Sequence, residues 1–217
     1  MKIAHTANLI SVIAMDIKEN DCLLIIDVQN DFCSGGSLAV PDAEAILPVI
    51  NSLSEKFEHV VLTQDWHPAG HSSFASEHSG KQAFESITLP YGEQTLWPDH
   101  CVQGTHGSAF HPELETNRSQ LIIRKGFRPE IDSYSAFFEN DRTTSLGLTG
   151  YLRERAVRRI VCVGLALDYC VRFSAIDARK EGFEAGVVEA GCRGIDVEGS
   201  NNIARQAMQD AGVTLLK

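Results

Sequence analysis

The sequence predicts a single-domain α/β fold: three layers, α-β-α, around a mostly parallel sheet of about six strands. Short apolar runs alternate with helix-length amphipathic segments over residues 22–216, which is the rhythm of β-α-β units. The runs are apolar at successive positions, as in LLII and RIVCVG, and strands covered on both faces read that way. The length, 217 residues, suffices for one full core and is short for two.

Residues 1–20 read as an N-terminal arm. Lys2 precedes a mildly apolar stretch, but His5, Thr6, Asn8 and Ser11 interrupt it. No small-residue cleavage site follows, so a signal peptide is not expected. The domain proper is expected over 21–217. Residues 22–27 form its first strand, ending at Asp27. Residues 42–56 read as a helix, with Pro41 ahead of it and Asp42 available as its cap. Strands follow at 59–64 and 120–125, the latter ending at Lys125, then a helix at 146–156 and a strand at 159–165. A helix is expected at 169–181, ended by Gly182, with Asp168 available to cap it. A strand at 184–189, a helix at 197–211 and a strand at 213–216 complete the series. The rhythm breaks over 67–118, a long polar region holding six of the eight histidines. A loop that long inside a compact domain is usually functional or a small excursion of its own.

Composition narrows the function. A formal net charge of −10 disfavours a nucleic-acid or anionic-membrane partner. No apolar run is long enough for a transmembrane helix. Six cysteines include no C-x-x-C pair, and several lie in apolar runs. That fits a reduced, cytoplasmic protein better than a disulfide framework.

Three polar residues end predicted strands or follow them: Asp27 in LLIIDVQNDF, Lys125 in IIRKGF and Cys170 in VGLALDYCV. In a parallel sheet such strand ends can open on one edge, where α/β folds place their sites. A thiol in the first turn of a helix faces free N–H groups and the positive end of the macrodipole, which favours thiolate. A lysine beside it can stabilise that thiolate, and a carboxylate can carry the thiol proton to a leaving amine. The plainer alternatives are a buried small residue at Cys170 and a structural Asp27–Lys125 salt bridge. Beside these lie DWHPAGH and WPDHC. Asp65 and His67 are two apart, so they point the same way in an extended segment. His71 and His100 are further candidates, and such carboxylate and imidazole donors suit zinc, iron or manganese.

The blocks DVQNDF, GGSLAV, DWHP, WPDHCVQGT, RKG with DSYSAF, and VGLALDYCV together resemble the nicotinamidases of the isochorismatase-like cysteine hydrolase superfamily. The resemblance implies a parallel sheet of about six strands and hydrolysis of nicotinamide to nicotinate and ammonia in NAD salvage. It implies that Cys170 is the nucleophile, Asp27 the general acid/base and Lys125 its cationic partner. The backbone N–H groups of Ala166 and Cys170 would form the oxyanion hole, beside a cis Leu165–Ala166 peptide. One divalent metal, usually zinc and sometimes iron or manganese, would be held by Asp65, His67 and His100, with His71 a fourth ligand in some members. Phe32 and Trp97 would sandwich the substrate ring, and Tyr134 matches another pocket position. A homo-oligomer is compatible with the family. Ser34 and Leu167 depart from its proline and threonine. The competing enzyme reading is a metal-free relative cleaving another small amide or enol ether. The competing non-enzyme reading is a small-molecule or metal-binding module without turnover.

Overall fold

The computed structural model describes residues 15–217. Its strands are β1 (Asp21–Ile26), β2 (His59–Asp65), β3 (Ser86–Leu89), β4 (Gly92–Thr95), β5 (Leu121–Lys125), β6 (Arg159–Leu165), β7 (Glu184–Arg193) and β8 (Thr214–Leu216). Its α-helices are α1 (Leu47–Ser54), α2 (Leu148–Glu154), α3 (Arg172–Lys180) and α4 (Ser200–Asp210). Six strands form one sheet in the order β5-β2-β1-β6-β7-β8, and every pairing in it is parallel.

The fold follows from the apolar runs. All six residues of β1 are buried. Leu23 and Ile25 pack with α1, whereas Cys22, Leu24 and Ile26 pack with residues of α2, α3 and α4. One face of the sheet therefore carries α1 and the other carries three helices. Each fully buried aliphatic side chain contributes roughly 1.5–3 kcal/mol, and these two layers offset the cost of a charged site at the sheet edge.

That edge is set by topology. From β1 the chain builds outward through β2 and β5, then returns to the other side of β1 to lay down β6, β7 and β8. The crevice between β1 and β6 is thus the point where strand order reverses, the place at which α/β sheets bind ligands. Gly164 allows the two strands to close there. Its φ is +119°, and a Cβ on it would lie 2.1 Å from the Ile26 carbonyl oxygen.

Several boundaries differ from expectation. The helix expected at 42–56 starts as a 3-10 turn, Ala43–Ile46, before α1. Asp42 is in the left-handed region, φ 54°, and its side chain does not cap that turn. The helix expected at 169–181 begins instead as a π-turn, Leu167–Val171. Asp168 does not cap it either; it accepts hydrogen bonds from Ile195 N (3.1 Å), Asp196 N (2.9 Å) and Ser200 Oγ (2.5 Å). The strand expected at 184–189 runs on to Arg193 across an irregular register against β6. The 67–118 region contains an antiparallel hairpin, β3–β4, that no pattern in the sequence announces. Of the arm expected over 1–20, residues 1–14 lie outside the described residues. Met15 and Ile17 pack against the α1-side core, and Arg159 donates to the Asp16 carbonyl at 2.5 Å. Among the described residues, no helix is long and apolar enough to cross a membrane.

Candidate active site

Asp27, Lys125 and Cys170, separated by up to 143 positions in sequence, meet at the reversal point. Asp27 follows β1 with φ 49°, which turns its carboxylate off the strand. Thr63 Oγ1 donates to Asp27 Oδ1 at 2.6 Å and accepts from Asp27 N at 3.2 Å. Lys125 ends β5 and reaches under β2, fully buried. Its Nζ lies 2.8 Å from Asp27 Oδ2 as an ion pair, donates to Asp65 Oδ1 at 2.9 Å and to Ser133 O at 3.1 Å, and stands 3.5 Å from Cys170 Sγ. Cys170 is carried by the π-turn after β6. The Leu165–Ala166 peptide ahead of it is cis.

The thiol is not the resting thiolate that its place at a helix start suggests. Burial, with the Asp27 and Asp65 carboxylates and a hydrogen bond to Asp27, pushes Cys170 well above the ordinary thiol range despite Lys125. Burial likewise raises Asp27, against the pull of Lys125. Burial alone would lower Lys125, but Asp27 and Asp65 hold it well above the usual lysine value. The resting set is therefore a protonated thiol, a carboxylate of raised basicity and a fixed ammonium. Such a carboxylate can take the thiol proton once a substrate arrives.

Asp65 links this triad to the histidines. Its Oδ2 lies 3.0 Å from His67 Nε2 and 3.2 Å from His100 Nε2. His67 Nδ1 donates to Gly126 O at 2.9 Å, and His100 Nδ1 donates to Pro98 O at 2.8 Å. Burial would lower the His67 pKa, but Asp65 raises it; with each Nδ1 on a carbonyl oxygen, both Nε2 atoms point at one carboxylate oxygen. Such a convergence in a buried site calls for positive charge among the atoms, which a proton or a metal cation can supply. Three buried carboxylates, Asp27, Asp65 and Asp132, surround the one buried ammonium of Lys125. The donor set thus fits a divalent metal of the zinc, iron or manganese class. Gly126 permits the approach, since a Cβ there would lie 2.4 Å from His67 Cε1.

His71, with His67 and Asp132, forms a second buried group of possible metal ligands. Its ring centroid is 4.3 Å from that of His67, but its Nδ1 contacts Ser73 Oγ at 2.7 Å and its Nε2 contacts Arg128 O at 2.9 Å. Burial and the neighbouring His67 lower its pKa, so it is neutral. Both nitrogens of the neutral ring are engaged.

Above the thiol lies a narrow, mostly apolar pocket. Phe32, Trp97, Tyr134, Ala166, Cys170, Asp65 and His100 all line it. Trp97 Nε1 donates to the Tyr134 hydroxyl at 3.2 Å. Sequence reasoning missed four further lining residues, Leu38, Asp132, Tyr169 and Ile195. Asp132 Oδ1 is 4.0 Å from His67 Nε2, although Asp132 stands in DSYSAF, a block singled out for other reasons. It also missed Thr63 and Gln29. The Gln29 side chain mimics a strand, accepting from Asp65 N at 2.8 Å and donating to Asp65 O at 2.8 Å. Ser34, where a proline is common in the family, uses its N–H to donate to Glu44 Oε1 at 2.7 Å, a bond proline cannot make.

Comparisons with known proteins give the family and the fold. The family profile described as "Isochorismatase domain" matches residues 21–217. A nicotinamidase of Acinetobacter baylyi is 54% identical over 89% of this chain and 91% of its own length. A solved structure from Acinetobacter baumannii, described as a nicotinamidase and pyrazinamidase, superposes with a TM-score of 0.92 at 55% identity, covering 93% of this chain and 98% of its own. A pyrazinamidase of Pyrococcus horikoshii solved in complex with zinc superposes with a TM-score of 0.75 at 33% identity, covering 91% and 99%. The chain belongs to the isochorismatase family, on the branch occupied by the nicotinamidases.

Proposed function

We propose that this chain is a nicotinamide amidohydrolase that works through a thioester on Cys170. The observation that carries the reading is the convergence of Cys170, Asp27 and Lys125 beside an aromatic pocket lined by Asp65 and His100, with His67 against Asp65. The nicotinamidase relatives and the zinc complex of the P. horikoshii enzyme support it.

In the proposed reaction the substrate ring lies between Phe32 and Trp97, which places the carboxamide over Cys170. Asp27 takes the thiol proton as sulfur attacks the carboxamide carbon. Lys125 stabilises the developing thiolate and holds Asp27 in position. Ala166 N–H and Cys170 N–H are aimed at the oxygen, which becomes negative in the tetrahedral intermediate. Asp27 then passes the proton to the amide nitrogen, the C–N bond breaks and ammonia leaves a nicotinoyl thioester. Water attacks that thioester, again with Asp27 as proton acceptor. The C–S bond breaks, Asp27 returns its proton to sulfur, and the acid formed gives up its own proton to solvent and leaves as nicotinate. A divalent cation, zinc in this proposal, would be held by Asp65, His67 and His100 and would supply a Lewis-acid anchor for the ring nitrogen.

Ammonia release from nicotinamide by the purified chain, with metal content measured on the same sample, tests the reading. Release together with about one metal per chain is expected. A metal-loaded chain that leaves nicotinamide and pyrazinamide intact would refute it.

A further inference from the structure

Of the strand residues of the β3–β4 hairpin only Gln94 is buried; its exposure is 0%. Its Oε1 accepts from the Tyr91 hydroxyl at 3.0 Å and from Asn140 Nδ2 at 3.3 Å. Its Nε2 donates to Thr95 O and to Asp132 Oδ2, both at 2.7 Å, with the Tyr134 hydroxyl 3.0 Å away. The amide orientation is determined by these partners. Turning it over would set a donor against Asn140 Nδ2 and an acceptor against the Asp132 carboxylate.

Both groups that Gln94 holds belong to the site. Asp132 is almost fully buried. Its Oδ1 accepts from Ser133 N at 2.7 Å and faces His67 Nε2 at 4.0 Å. With Oδ2 tied to Gln94, the carboxylate cannot rotate away from the ligand histidine. Tyr134 receives the Trp97 N–H on its oxygen at 3.2 Å and lies 3.0 Å from Gln94 Nε2, which can share a hydrogen with it; both contacts hold the phenol against the pocket. We infer that Gln94 is a positioning residue that joins the hairpin to the site, directing the Asp132 carboxylate at the metal cluster and Tyr134 at the substrate ring. The inference rests on the reading of Asp65, His67 and His100 as a metal site. Partners one step removed from the metal typically change its affinity 10–100-fold.

The test is the zinc dissociation constant of the full chain, measured by chelator competition without substrate, for Gln94→Leu, Asp132→Asn and the double variant. Gln94→Leu is expected to weaken zinc binding about ten-fold, and the double variant to bind no more weakly than the worse single one. The KM for nicotinamide at saturating zinc should rise in Gln94→Leu while kcat stays within about two-fold, the pattern for lost binding rather than lost chemistry. Wild-type zinc affinity in Gln94→Leu, or losses that multiply in the double variant, would overturn the inference. Should Gln94→Leu fail to fold, Gln94→Glu keeps the size but removes the donor to Asp132, and wild-type zinc affinity in it overturns the inference equally. Coupled zinc losses in a chain that does not hydrolyse nicotinamide would uphold the positioning role and reject the substrate. Absence of zinc binding by the wild-type chain would reject the metal reading, and this inference with it.

Discussion

Lys125 is the single cation among Asp27, Asp65 and the Cys170 thiol, and its Nζ contacts all three within 3.5 Å. Replacing it with methionine keeps the bulk and strands two buried carboxylates. Breaking a buried pair in this way costs about 3–5 kcal/mol, so Lys125→Met should lower the denaturation midpoint sharply as well as abolish turnover. Unchanged stability would mean that the carboxylates are compensated elsewhere. Cys170→Ala removes only sulfur from a packed turn; ammonia release should fall at least about a thousand-fold with little change in stability. At the metal end, Asp65→Ala and His100→Ala should each purify with depleted metal, read by elemental analysis; full metal content in both would show that the cation lies elsewhere. Asp27 and Lys125 are legible in the sequence because a charge ending an apolar run is costly unless it has a partner. Cys170 is legible from its place after β6. Its protonation is not, because burial and the carboxylates opposite it come from distant segments. Asp132, Gln94 and Thr63 carry no such contrast: each is a polar residue whose role depends on what the fold sets against it.

At the scale of elements, the strands of the main sheet were readable and the helix starts were not. An apolar run buried on both faces is a local signal, and β6 begins and ends where the sequence places it. The helix starts failed for a shared reason. Asp42 and Asp168 each precede a helical segment as an N-cap would, yet Asp42 adopts φ 54° and Asp168 is drawn away by the 195–200 segment. That tie matters, since Ile195 lines the pocket opposite the Cys170 turn. Asp168→Ala would leave three donors without their acceptor, at roughly 1–3 kcal/mol for an unsatisfied buried group. The expected result is lower stability together with a higher KM, measured by urea denaturation and steady-state kinetics. Loss of stability with wild-type KM would show that the 195–200 segment keeps its place without Asp168. The β3–β4 hairpin escaped notice because its strands are four residues each and mostly exposed, which leaves no apolar alternation to detect.

Across the whole molecule, parallel connection accounts for the architecture. The α-β-α layering was legible because the β-α-β rhythm admits few topologies, and strand order then brings residues from β1, β5 and β6 to one edge. Burial on that scale also sets a pH dependence remote from the catalytic thiol. Glu139 has no exposed surface and pairs with Arg128, and burial raises its pKa from 4.5 to about 7. Between those values the folded chain holds a proton that the unfolded chain releases. Stability should therefore fall as pH rises through that window. Between about pH 5 and about pH 8, the urea midpoint of the wild type should drop more than that of Glu139→Gln; equal drops would place the titration elsewhere.

The central claim is a covalent thioester on Cys170, and hydroxylamine trapping during turnover tests it most directly. A nicotinoyl thioester would partition between water and the added nucleophile, so nicotinohydroxamate should form at the expense of nicotinate, and only with Cys170 present. Ammonia release without hydroxamate at any hydroxylamine concentration, or undiminished release by Cys170→Ala, would contradict the account and indicate direct attack by water.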